Sequence, residues 1–326
     1  MEHISNVSRA AAYWDREHQQ PCHDWMSDPL IRAYINGHFD GNWPLDWFLK
    51  SPHGRRFHRA LSIGCGTGSL ERVLVQRDAC ERVDAFDASL QSIATARREA
   101  EAAGVGSHIR YFVADFNTPV LPLHTYDAIF FHQSLHHVER LESLLSAVLR
   151  TVKPSGLVFL DEYVGPSRID WTRKLLRDAT REHLEVPENF RVNAELLYPI
   201  QADDPSEAIR SGEILGQLAA GFQTAEFRGY GGNILALLYP EVRWEQAPEE
   251  LLRHLVKADA AVAQRRGAYY AVIVARPRKG LSRLFAALSY ASRATWLRHR
   301  WRRLTRPILL RVKLGVLRRL GYDARW

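Results

Sequence analysis

The sequence predicts an α/β protein with a doubly wound, mostly parallel sheet. Three observations point there. Short apolar runs alternate with helical patterns across residues 59–164. Single helices separate successive strands, which implies parallel pairing with crossovers on both faces. A glycine-rich turn, GCGTG at 64–68, follows the first run, where such folds seat their ligands.

RALSIGC (59–65) reads as a buried strand and SLERVLVQRDA (69–79) as the helix after it. RVDAFDA (82–88) is a second strand. In SLQSIATARREAEAAG (89–104) Ser89 is placed to cap a helix and Gly104 to end it. IRYFVADF (109–116), YDAIFFHQ (126–133) and GLVFLDEYV (156–164) supply three further strands. LESLLSAVLRTV (141–152) is a helix between the last two, with KPSG (153–156) as the turn after it. Farther on, WTRKLLRDATREHL (171–184) and DPSEAIRSGEILGQLAAGF (204–222) predict helices. The sheet resumes at AEFRGYG (225–231) and closes with GAYYAVIVARP (267–277).

A chain of 326 residues, 46% of them hydrophobic, can bury a sizeable core without metal or disulfide staples. Its three cysteines, Cys22, Cys65 and Cys80, have no paired spacing, which excludes a disulfide framework or a four-cysteine zinc site and suggests a reducing compartment. MEHISNVSRAAAYWDREHQQ holds no apolar leader core, and no stretch matches the roughly 18 apolar residues of a spanning helix, so a cytoplasmic chain is expected. Charge is unevenly spread. Of 44 basic and 37 acidic side chains, residues 276–326 hold fifteen and one, leaving 29 and 36 for an acidic body.

The glycines are spaced G-x-G-x-G (Gly64, Gly66, Gly68), with Ser69 where a dinucleotide site has its last glycine, and no G-K-[ST] follows. A triphosphate loop is excluded. Asp87 ends the second strand 19 residues after Gly68, where a carboxylate can accept two ribose hydroxyls. Asp115, with Phe116 beside it, ends the third strand and suits an adenine amino group and ring. Three consecutive strands thus carry a glycine loop, an acid and an acid–aromatic pair to one edge.

With LSIGCGTGSLE, VDAFDAS, VADF, YDAIFFHQSLHHV and LRTVKPSGLVFLDE in order, the chain resembles the class I S-adenosylmethionine-dependent methyltransferases over residues 55–165. The resemblance implies a Rossmann-like fold whose seven-stranded sheet has an antiparallel last strand, and S-adenosyl-L-methionine as cofactor. It implies that Gly64, Cys65, Gly66 and Gly68 line the methionine part. Asp87, with Ala88 next to it, would hold the ribose, and Asp115 and Phe116 the adenine. His132 and Gln133 would sit near the methyl. DEYVGPSRIDW and DPSEAIRS look like segments of bacterial methyltransferases found near glycan-assembly enzymes. The expected division is an N-terminal helical cap (1–54), a cofactor-binding half (55–165), a helical insertion suited to a substrate lid (166–222), closing strands (223–280) and a basic amphipathic helical tail (281–326).

Methyl transfer to oxygen benefits from a positioned base. His132 and His136, four apart, are expected to share a helix face, with His137 pointing elsewhere; His136 is the first candidate base. Glu162 is the second, because one of Asp161 and Glu162 must face the cleft. Tyr163 and the helix-face pair Glu207 and Arg210 are candidate acceptor contacts. Tyr13 and Trp14 belong to a helix expected to cover the cofactor. No metal is expected: the histidine pair lacks both HExxH and a cysteine partner. The acceptor is expected to be a glycan, lipid-linked saccharide or other small molecule. The rival readings are an RNA methyltransferase using the basic tail and a non-catalytic protein keeping the fold; a dinucleotide-dependent reductase is more distant. No N/D-P-P-[YF] follows the fourth strand, which argues against adenine or glutamine targets. In the tail, Leu281, Leu284, Phe285 and Leu288, then Leu309, Leu310, Leu314 and Leu317, recur at helical spacing among arginines and tryptophans. That pattern suits an anionic membrane surface better than a nucleic acid, with docking on the acidic body as the other reading.

Overall fold

The computed structural model describes residues 11–15, 25–199, 204–280 and 290. Its strands are β1 (Phe57–Ile63), β2 (Cys80–Asp87), β3 (Ile109–Val113), β4 (Tyr126–His132), β5 (Val152–Tyr163), β6 (Phe222–Gly231) and β7 (Tyr270–Pro277). Helices α1 (Pro29–Gly37) and α2 (Pro44–Lys50) precede the sheet. Then come α3 (Ser69–Gln76), α4 (Leu90–Ala102), α5 (Leu141–Thr151), α6 (Arg173–Glu185), α7 (Ile214–Gly221), α8 (Leu235–Leu238) and α9 (Glu249–Arg266).

The seven strands form one sheet in the order β3-β2-β1-β4-β5-β7-β6. β1 pairs in parallel with β2 and β4, as do β2 with β3 and β4 with β5. β7 alone is inverted, antiparallel to both β5 and β6. This is the expected α/β fold with its last strand reversed. The apolar runs were so dense because both faces are covered: Phe130 and Phe159 join one core with α1 and α2, while Phe131 and Leu160 join the other with α5. Successive strands leave β1 in opposite directions, so the crevice between the ends of β1 and β4 is the topological switch point that such sheets offer to ligands.

Ser89 caps α4 as expected, accepting the Ser92 amide at 3.0 Å, and Thr172 does the same for α6. Four expectations need correction. The third strand stops at Val113, so Asp115 and Phe116 lie in the loop beyond it. KPSG is not a turn: residues 153–156 belong to β5, where a register shift opposite Tyr126 and Ala128 absorbs the extra length. The helix expected over 204–222 is confined to α7 and a 3-10 turn before it, because the chain turns at 205–208 and Ala208 is left-handed (φ +46°). Finally, α9 had no counterpart in the sequence reading, although Pro248, two glutamates in the first turn and two arginines in the last mark it. No described helix is long and apolar enough to cross a membrane. The expected tail helices lie outside the described residues, Tyr290 excepted.

Candidate functional site

The loop after β1 is tied to β2 by the Gly64 and Cys65 amides, which donate to the Phe86 carbonyl at 2.9 and 3.1 Å. Within it, two glycines serve different ends. Gly68 (φ +78°) precedes α3, and a Cβ there would stand 2.4 Å from the Tyr111 hydroxyl. It is needed for packing and does not border the cleft, contrary to the role expected for it. Gly66 (φ +52°) would project a Cβ into open space at the cleft wall. It is the bare backbone on which a ligand can lie.

The cleft holds about 300 Å³. Gly64, Cys65 and Gly66 form its floor, Asp87 and Ala88 follow from the end of β2, Asp115 and Phe116 from the loop after β3, and His132 and Gln133 from the end of β4. Asp87 uses one oxygen to accept the Gly66 amide and the other to accept the Ser89 amide, both at 2.9 Å. The same carboxylate therefore shapes the glycine loop and faces the cleft. Asp115 orders its own turn by accepting from the Asn117 amide and side chain at 2.8 and 3.0 Å. Trp14 closes the cleft from the N-terminal side, as expected of its helix, with its ring edge-on to His137 at 5.4 Å. Burial pushes the Cys65 thiol well up, and the charges of Glu71 and Asp87 add to this, so it is no thiolate.

Glu71 was not anticipated. It is completely buried in the first turn of α3, on the cleft wall, where neither carboxylate oxygen meets a donor in good hydrogen-bond geometry among the described residues and Ser62 is its polar neighbour. Burial lifts its pKa to about 7, against the pull of Ser62 and His132.

At the other end of the cleft, the histidines differ from expectation. His132 ends β4 and His136 lies on the 3-10 turn Leu135–His137, so they share no helix face. His137, not His136, borders the cleft. His136 is buried with Nδ1 on the Glu162 carboxylate and Nε2 3.7 Å from Glu207. Burial would lower its pKa, but Glu162 and Glu207 outweigh that and hold it up at about 9. His137 is pushed the other way, by burial and by the charge of His136. Its Nδ1 is 3.1 Å from the Ser206 hydroxyl and its Nε2 3.7 Å from Glu207.

Glu162 is fully buried and saturated. It accepts the amides of Ser134, Leu135 and Tyr163 at 2.9, 2.6 and 2.8 Å besides its histidine, so it positions the turn and is unsuited to take a further proton. Tyr163 donates to the Pro166 carbonyl at 3.0 Å and does not line the cleft. Glu207 and Arg210 are not a helix-face pair. Arg210 is buried in ion pairs with Glu142 and Glu213 at 2.7 and 2.8 Å, a structural clasp, whereas Glu207 faces the histidines. His132 is the half-exposed histidine of the cleft wall; its Nε2 lies 3.7 Å from Asp161, which in turn accepts from the Tyr230 hydroxyl at 2.6 Å. His137, Ser134, Ser206 and Glu71 are cleft residues that sequence reasoning missed. Glu71 closed the quoted glycine motif; Ser206 gave no signal, being brought in from a distant loop.

Residues 61–160 match the methyltransferase domain family. Among curated relatives, the ubiquinone biosynthesis O-methyltransferase of Aeromonas salmonicida is 31% identical over 116 residues, covering 36% of this chain and 48% of that one. The protein of the same name from Pseudomonas aeruginosa (strain UCBPP-PA14) is 32% identical over 152 residues, or 46% and 57% of the two chains. The chain thus spans about half the length of the curated relatives it matches. Two solved structures share the fold with a TM-score of 0.51. One is the geranyl diphosphate C-methyltransferase of Streptomyces coelicolor A3(2), 17% identical over 85% of this chain and 100% of that one. The other is the [4+2]-cyclase SpnF, 16% identical over 85% and 98%. Together with the cleft, these findings give residues 61–160 the character of a methyltransferase domain on a Rossmann-like fold. The cofactor that such a domain implies is S-adenosyl-L-methionine. The residues fit that group, since Gly66 leaves a cradle a Cβ would fill, Asp87 offers a carboxylate at a strand end, and Glu71 offers a buried acid that a cationic ligand would favour in its charged form.

Proposed function

We propose that the protein methylates a hydroxyl oxygen of a small molecule, with the donor along Gly64–Gly66, Asp87 and Asp115 and the acceptor at the His132 end of the cleft. The observation that carries this reading is one continuous cleft joining the two sets of residues. The relatives' names support oxygen as the accepting atom. When bound, the cofactor supplies a methyl already activated by its sulfonium, so the protein is left with alignment and with the acceptor's proton. His132 suits the second task. It faces the cleft with the Asp161 carboxylate behind it, whereas His137 has Nδ1 on Ser206 and Nε2 turned toward Glu207, and His136 lies off the cleft wall. Trp14 and Phe116 line the cleft with apolar surface that would shield the bound donor from water.

The acceptor class is a glycan or lipid-linked saccharide by the character of the 161–171 and 204–211 segments. An acceptor of ubiquinone biosynthesis is the alternative that the relatives' names favour. Incubation with methyl-labelled cofactor and both classes of hydroxylated acceptor tests this. Label in a base-stable ether of one class supports the reading; label on nitrogen or carbon, or none from either class, contradicts it. His132→Gln should lower kcat by about 10²- to 10⁴-fold with cofactor affinity unchanged. An unaltered kcat removes His132 from the chemistry. We also propose that residues 281–326 attach the enzyme to an anionic membrane surface, on the strength of their alternating apolar and cationic sequence.

A further inference from the structure

No metal was expected at the histidines, which lack HExxH and a cysteine partner, and the third donor comes from a distant segment. In the fold, His136 Nε2 and His137 Nε2 each stand 3.7 Å from the same oxygen, Glu207 Oε2. All three donor atoms lie within 4.8 Å of one another. We infer that His136, His137 and Glu207 form a binding site for a divalent cation of the zinc type, at the acceptor end of the cleft.

The other nitrogen of each ring argues for it. His136 Nδ1 is held by Glu162, whose carboxylate is pinned by three backbone amides. The Ser206 hydroxyl is 2.6 Å from Asp204 Oδ1, to which it donates, so toward His137 Nδ1 at 3.1 Å it acts as acceptor. Asp204 Oδ2 stands 3.5 Å from the same nitrogen. Both rings therefore keep their Nδ1 protons turned to carboxylate-backed partners and direct Nε2 toward one point, the arrangement by which ligating histidines are oriented. Once His136 gives up its Nε2 proton, two nitrogen electron pairs and a carboxylate oxygen converge there, so a cation that displaces that proton can be held by all three. A proton shared with Glu207 would form a hydrogen bond only at about 2.7–3.2 Å, shorter than either separation. Two donors about 2.1 Å from a zinc-type ion at a tetrahedral angle are about 3.4 Å apart, and both nitrogen–oxygen separations, at 3.7 Å, come close to that. Two imidazoles and one carboxylate suit zinc, cobalt or iron better than magnesium or calcium.

Three protein donors leave a coordination position open. His137 and Ser206 border the cleft and the Glu207 side chain is 31% exposed, so that position adjoins the acceptor. The oxygen it would hold is the acceptor's hydroxyl, a step that rests on the methyl-transfer reading.

The test uses the full chain stripped with chelator, then titrated with Zn²⁺ by calorimetry and with Co²⁺ by visible absorption. Wild type, His137→Ala, Glu207→Gln and Ser206→Ala are compared, with their thermal melts recorded without metal. One equivalent per chain and a four-coordinate Co²⁺ spectrum are expected. Affinity should fall at least about 10-fold in the two ligand variants and about 10- to 100-fold in Ser206→Ala. Stoichiometric binding absent from folded wild type, or equal in all four proteins, overturns the site and leaves a proton as its occupant. S-adenosylhomocysteine is titrated into the same samples. Cofactor binding without metal binding ends this inference alone; metal binding without cofactor binding ends the methyl-transfer reading and leaves the cation site standing.

Discussion

Asp87 and Glu71 are carboxylates on the same cleft, and only one was legible. Asp87 sits at a strand end at a distance from the glycines that the sequence itself displays. Glu71 looked like any acid in a first helical turn, and its burial depends on how α3 packs against the sheet. That burial has a measurable consequence. Its pKa is raised from 4.5 to about 7, so between those values the folded protein holds a proton that the unfolded chain has released. The group therefore contributes stability that is fully present below pH 4.5 and is lost as pH rises through 7. Glu71→Gln should flatten this part of the stability profile and stabilise the protein at pH 8, on the order of 1–3 kcal/mol. Denaturant melts at several pH values check it; an unchanged slope places the titration elsewhere. The histidines teach the same lesson. Their spacing suggested a shared helix face, yet His132 closes a strand and His137 reaches the cleft from a 3-10 turn, geometry set by a saturated Glu162 that no local pattern announces.

At the scale of elements, the glycine loop was legible as a turn at the cleft, but its division of labour was not. Gly68→Ala would drive a Cβ against Tyr111 in a left-handed backbone, and should cost about 2–4 kcal/mol of stability. Gly66→Ala meets nothing within 4 Å, so its stability cost is about 1–2 kcal/mol, while its methyl occupies ligand space. The expected pattern is a large fall in melting temperature with modest loss of cofactor affinity for Gly68→Ala, and the reverse ordering for Gly66→Ala. Equal losses in both quantities for both variants would contradict the assignment. Strands β1 to β5 were legible because burial on both faces leaves continuous apolar runs. The 204–222 segment was not: its polar half looked helical, but Pro205 and left-handed Ala208 turn the chain so that Ser206 and Glu207 reach the histidines.

Over the whole molecule, the charge division remains the feature the fold does not explain: residues 276–326 hold fifteen cations against one acid. Tyr290, the described residue of that segment beyond 280, is buried against Gly221 with its hydroxyl on the Gln217 carbonyl. On the proposed surface role, the cations of this segment would each contribute about 1 kcal/mol near an anionic surface. The full chain should float with anionic liposomes at low salt and a chain ending at 280 should not; if both stay in solution, the surface role fails. Steep salt-dependent RNA binding by the full chain would favour the nucleic-acid reading instead.

The central claim is that the switch-point cleft holds S-adenosylmethionine through the glycine loop and Asp87. Calorimetric titration of S-adenosylhomocysteine into the full chain and into Asp87→Ala tests it most directly. One site per chain is predicted, with affinity falling about 10- to 100-fold in the variant, as expected for lost hydrogen bonds to a charged group. No binding to the wild type, or the same affinity in both proteins, would contradict the account.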